Sequence, residues 1–157
     1  MELGEVGPIK YVYYGEMERD GMFNFVKEAK EGLLYPFYRS QPIQDRLDGF
    51  VKVLVARDFE DVAFDPMKNV LVEFVVPGCR MCDRVEDDYQ RLAQEYIYRD
   101  DILITKIDTS KNDLKDLVFP DFPAFILYKA GGDGEKHAVF SKDHIDYTVD
   151  MVYTCNE

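Results

Sequence analysis

A chain of 157 residues has room for one full domain and a fragment of another. Hydrophobic content of 46% and aromatic content of 14% supply a core, while 32% charged residues solubilise its surface, which argues against disorder. The formal charge of -12 with no basic patch argues against a nucleic-acid partner, and apolar runs as short as residues 124–128 argue against a membrane role.

In chain order, residues 9–14 read as a strand and 20–31 as a helix, with Met22, Phe25, Val26 and Ala29 at helical spacing. One strand and one helix cannot close a core. Pro36, Ser40, Pro42 and scattered charges make 35–47 a linker rather than an element. A second unit opens with a short strand over 51–56 and a helical turn over 59–64, punctuated by Pro66 and Asn69. Residues 70–76 form a nearly continuous apolar strand, as a strand covered on both faces must be, with Glu73 as the one interruption. After Pro77-Gly78, the residues Cys82, Val85, Tyr89, Leu92 and Tyr96 recur at three- and four-residue steps and predict a long amphipathic helix.

A strand over 102–107, a short helix over 112–118 and a strand over 124–128 follow, the last starting directly after Pro123. Gly131, Gly132 and Gly134 turn the chain into a strand over 137–140, and Ser141 caps a final helix through 151. The order βαβαβαββα contains no internal repeat, and it divides the chain into residues 1–48 and 49–157.

Three cysteines cannot all pair internally, which favours a reactive pair plus one spare over a disulfide-stapled scaffold. Cys79-Arg80-Met81-Cys82 puts two sulfurs in the first turn of the long helix, where free N–H groups and the helix dipole favour a thiolate at Cys79 and Arg80 adds positive charge. A strand, a turn, CxxC and a long helix in succession point to thiol–disulfide chemistry. Zinc is an alternative, with His137, His144 and Cys155 as further ligands, although their separation from Cys82 matches no compact zinc motif. Two merely buried cysteines are another.

A carboxylate in the middle of a buried strand costs several kcal/mol unless paired or protonated. Lys106 in the neighbouring strand is the expected partner of Glu73, and the pair would shuttle protons for Cys82; the alternative places Glu73 at an edge facing water. Phe122-Pro123 opens a strand, where proline is tolerated.

The second unit resembles the second catalytic domain of the protein disulfide isomerase family. The resemblance rests on Val51-Lys52-Val53-Leu54-Val55, on Asp58-Phe59-Glu60-Asp61-Val62-Ala63-Phe64-Asp65 and on Lys68-Asn69-Val70-Leu71-Val72-Glu73-Phe74. Residues 9–48 are similar to the tail and connector of the preceding non-catalytic domain. Where the family has Tyr-Ala-Pro-Trp-Cys-Gly-His-Cys-Lys, this chain has Val75-Val76-Pro77-Gly78-Cys79-Arg80-Met81-Cys82-Asp83.

The resemblance implies an α/β thioredoxin-like fold with a central mixed sheet flanked by helices. It also implies Cys79 as attacking thiol, Cys82 as resolving thiol, Glu73 with Lys106 as a buried pair, and Pro123 as a cis-proline facing the disulfide. Phe122, Gly78, Arg80 and Met81 then rim the substrate site. The partners implied are unfolded or disulfide-bearing client proteins, the cofactor none beyond the Cys79–Cys82 couple, and the setting a longer multidomain chain in the endoplasmic reticulum lumen. Met1 to Glu5 carries no signal-peptide features and Cys155-Asn156-Glu157 no retention signal, so the chain itself gives no address, and a short first segment ahead of a complete domain reads as a piece of something longer.

Gly78 stands for the family tryptophan, Arg80-Met81 for Gly-His, Asp83 for lysine and Asp87 for proline, and the mobile family arginine has no counterpart beyond Lys129 nearby. These departures predict a poorer isomerase. They also leave open a second function, a weakly redox-active, chaperone-like module that binds clients around Phe122 and the CxxC rim.

Overall fold

The computed structural model describes residues 9–115 and 117–131 and the backbone of 136–140. The expected final helix over 141–151 lies outside the described residues, as do His144, Cys155 and the side chain of His137.

Helix α1 (Arg19–Lys30) is followed by strands β1 (Arg46–Asp48) and β2 (Val51–Leu54), helix α2 (Ala56–Ala63) and strand β3 (Asn69–Val75). Helix α3 (Arg80–Tyr96) then leads to strands β4 (Ile102–Asp108), β5 (Ala124–Tyr128) and β6 (Lys136–Phe140). The six strands form one mixed sheet in the order β1-β2-β4-β3-β5-β6. The β2–β4–β3 core is parallel, and β1 and the β5–β6 pair join it antiparallel. This is the α/β thioredoxin-like fold.

Alternation along β3 feeds two cores, as a central strand must. Leu71 packs with Ile104 and Phe125 beneath the apolar stripe Val85, Tyr89, Ala93 and Tyr96 of α3. Val70, Val72 and Phe74 pack on the opposite face with Phe59 and Ala63 of α2. Tyr89, fully buried at the α3–sheet interface, donates its hydroxyl to the Thr105 carbonyl at 2.7 Å and so satisfies a polar group that burial would otherwise penalise.

Four elements differ from expectation. Residues 9–14 form no strand; among the described residues, Phe37 N–H donates to the Lys10 carbonyl at 2.7 Å without a ladder around it. Residues 46–48, read as linker, form β1, because Asp48-Gly49 turns the chain back onto β2 with Gly49 at a φ of 61°. Among the described residues, the expected helix over 112–118 does not form. Asn112, the first residue of that stretch, is buried: Oδ1 accepts the N–H groups of Gln41 and Ala56, each at 3.0 Å, and Nδ2 donates to Gln41 Oε1 and the Asp108 carbonyl. Asp113 N–H is taken by the Arg39 carbonyl at 2.7 Å, which ties the segment to the chain ahead of β1. The helical turn expected over 59–64 is a full helix starting at Ala56, and Asp58 Oδ1 accepts the Val55 N–H at its start.

Candidate functional site

The turn after β3 brings the chain to Gly78, exposed and at a φ of 77°, and then to Cys79 at the N-cap of α3. Cys79 and Cys82 are joined as a disulfide with Cα atoms 5.2 Å apart, inside the range that a bridge accepts. Cys79 Sγ also accepts the Cys82 backbone N–H at 3.1 Å. Cys79 is half-buried while Cys82, one helical step inward, is 9% exposed, so one sulfur faces outward and the other is shielded. Arg80 is exposed and Met81 half-buried on the same turn.

The Phe122–Pro123 bond is cis, and Pro123 is buried at the head of β5. Phe122 is half-buried and stacks toward Phe119 with ring centroids 6.1 Å apart, so part of the apolar surface expected to meet clients is already used in packing. Lys129, following β5, is exposed.

Glu73 is completely buried in β3 on the face covered by α3, which excludes the edge-facing alternative. Its carboxyl oxygens have no hydrogen-bond partner among the described residues. The expected direct pair with Lys106 is not formed. The two residues are neighbours in the β3–β4 register. The Lys106 ammonium instead reaches outward to Asp48 Oδ2 at 2.7 Å and Glu86 Oε1 at 3.2 Å. A long flexible stem can lie along apolar surface while its charge seeks better solvated anions, and Lys106 does so.

Burial, aided by the like charge of Glu86 and opposed only weakly by Lys106, pushes the Glu73 carboxyl up to about 8. Burial alone would lower Lys106, but its bonds to Asp48 and Glu86 outweigh that and hold the ammonium above its ordinary value. The same bond holds Asp48 below the usual carboxylate range.

Asp48 and Glu86 were not among the sequence-derived candidates. Each left a signal: Asp48 precedes a glycine in a hairpin dipeptide, and Glu86 lies four residues beyond Cys82 on the same helical face. Gln90, four residues further, ties the two together. Its Nε2 donates to Glu86 Oε1 at 2.8 Å and to the Asp48 carbonyl at 2.9 Å, and its Oε1 accepts the Phe50 N–H at 2.9 Å. Among the described residues, no group of three or more His, Cys, Asp and Glu is placed to hold a metal ion.

A parallel core with an antiparallel edge and a disulfide couple at the head of the helix following the central strand define a thioredoxin fold with a thiol–disulfide site. The thioredoxin family profile matches residues 50–150. Protein disulfide isomerase-like 1-4 of Arabidopsis thaliana is 33% identical over 82% of this chain and 21% of its own length. Protein disulfide-isomerase of Oryctolagus cuniculus is 35% identical over 74% of this chain and 23% of its own. The chain belongs to the thioredoxin family as a domain of the protein disulfide isomerase type. In fold alone it is similar to the first thioredoxin domain of mouse Protein disulfide-isomerase A4, with a TM-score of 0.50 and 20% identity over 66% of this chain and 73% of that one. The chain spans about a fifth of the length of the curated relatives it matches.

Proposed function

We propose that this chain is a thiol–disulfide exchange domain that acts on the disulfides of client proteins, within a longer multidomain protein of the endoplasmic reticulum lumen. The observation that carries the reading is the Cys79–Cys82 bond at the start of α3 with Cys79 the outer sulfur. The longer chain is supported by the length of the relatives, and the compartment by the family resemblance alone. The division into a preceding fragment over 1–48 and a thioredoxin-like domain over 49–157 is supported by a family match that begins at residue 50.

In the oxidising direction a client thiolate attacks Cys79 Sγ, the Cys79–Cys82 bond breaks, and Cys82 leaves as a thiolate. Glu73, neutral at pH 7 because of its burial, supplies the proton that Cys82 takes up. A second client thiolate then attacks the client sulfur of the mixed disulfide, forming the client disulfide and releasing Cys79, so two electrons pass from client to pair. In reverse, Cys79 attacks a client disulfide and Cys82, deprotonated, resolves the intermediate. Pro123 faces the reacting sulfurs, and Gly78, Arg80, Met81 and Phe122 contact the client.

Insulin reduction with a Cys79→Ser control tests the reading and separates it from a module that only binds clients. Turnover that vanishes in the variant supports exchange, whereas equal turnover in both, or none in the parent, overturns it.

A further inference from the structure

The sheet places Glu73 and Lys106 side by side, yet the lysine spends its charge elsewhere, and the device that diverts it is built from three elements. Glu86 on α3 accepts from Lys106 with both oxygens, at 3.2 and 3.4 Å. Asp48 on β1 makes the shorter contact, 2.7 Å. Gln90 bonds to Glu86 and to the backbone on both sides of Gly49, so the hairpin that carries Asp48 is clamped to the helix that carries Cys82. Asp48 lies just before the stretch that the family profile matches, so a residue outside that stretch supplies one of the two anions.

We propose that Asp48 and Glu86 are positioning residues that hold the Lys106 ammonium away from Glu73, and thereby keep Glu73 the proton-bearing acid of the Cys79–Cys82 exchange.

The alternative location for the ammonium is beside Glu73. There it would satisfy carboxyl oxygens that otherwise have no hydrogen-bond partner among the described residues. Two exposed-side carboxylates compete successfully because the lysine keeps partial hydration there and gains two charge-assisted bonds. The groups that face Glu73 are few among the described residues: Lys106 from β4, the ring of Phe125 from β5 and, from α3, Glu86 and the hydroxyl-bearing ring of Tyr89. Tyr89 is committed to the Thr105 and Leu71 carbonyls. With burial fixed by the sheet, the position of the lysine is the charge that can shift how readily Glu73 holds its proton.

The inference rests on the proposed exchange chemistry for its consequence, but its electrostatic half is measurable without turnover. The Glu73 titration midpoint can be followed by carboxyl infrared absorption, assigned with Glu73→Gln, in the oxidised protein. Both anions are replaced by near-isosteric amides, as Asp48→Asn with Glu86→Gln, and the same pair is introduced into a Lys106→Met background.

Removing Glu86 lowers the midpoint directly by removing a like charge, whether or not the lysine is present. Releasing the lysine lowers it further only where Lys106 is present, by about one to three pH units for an opposite charge at contact distance. The expected result is a drop at least about tenfold larger in dissociation constant with Lys106 than without it, one pH unit being tenfold. The pH profile of mixed-disulfide release should be displaced to lower pH by the same interval. Equal drops in the two backgrounds, or no drop in either, overturn the positioning role. A lysine-dependent drop establishes it even if insulin turnover is absent in the parent, an outcome that would refute only the exchange reading.

Discussion

Glu73→Gln should change how the stability of this protein responds to pH more than it changes stability at any one pH. Glu73 is pushed up to about 8 in the fold, against 4.5 for an ordinary glutamate. Between these values the unfolded chain carries the carboxylate while the folded chain still holds the proton. The native state then binds more protons, and stability falls as pH rises. The contribution is complete below the unfolded value and is lost progressively up to the folded one.

Each pH unit inside that window is worth about 1.4 kcal/mol, so from pH 5 to pH 7 this group alone removes about 2 to 3 kcal/mol. The amide of the variant does not titrate. It keeps a cost for its own unpaired buried groups, but that cost is the same at every pH. Urea unfolding of parent and variant with the disulfide intact, at pH 5, 6 and 7, isolates the term as the change in their difference. The variant should gain about 2 to 3 kcal/mol on the parent across that range. Parallel stability–pH curves would show that Glu73 is ionised in the fold and that its burial is compensated in some other way.

After reduction, Cys79 should alkylate before Cys82, because only the outer sulfur is accessible; mass-mapped labelling in which Cys82 or Cys155 reacts faster would refute this. Replacing Arg80 with Gly and Met81 with His together should raise recovery of scrambled ribonuclease, since an exposed arginine is screened by water whereas the family histidine acts on the thiolate. An unchanged or lower rate would show that the dipeptide does not limit isomerisation. Asn112→Ala should cost about 2 to 4 kcal/mol in urea unfolding, because a buried side chain with four hydrogen bonds is lost and backbone donors are left unpaired. It should also speed proteolytic cleavage near Arg39, and a loss below about 1 kcal/mol would mean that water replaces the amide.

The elements that sequence alone made legible are those whose pattern and packing agree. The α3 stripe at Val85, Tyr89 and Tyr96 and the apolar run of β3 are buried as their spacing requires. The cysteine spacing likewise placed both sulfurs in one helical turn. The segment after Asn112 was not legible because its conformation is decided by residues some seventy positions away, Arg39 and Gln41, which take the bonds a helix start would use. The burial of Glu73 could be read from its strand. The true partners of Lys106 could not, because strand neighbours define where a side chain begins and not where a four-carbon stem ends. The Asp48-Gly49 hairpin signal was present but stood directly after a stretch whose prolines and charges suggested a linker.

Gly78 makes the departure from the family pattern a matter of backbone as much as of side chain. Its φ of 77° is one that side chains with a Cβ rarely adopt, although the space around it is open. Restoring the family tryptophan there would meet no wall, only a backbone that disfavours it by about 1 to 3 kcal/mol. Arg80 and Met81 lie in the first turn of α3 and carry no such backbone penalty. Rebuilding the family rim at this position is therefore a matter of the loop before it is a matter of the side chain.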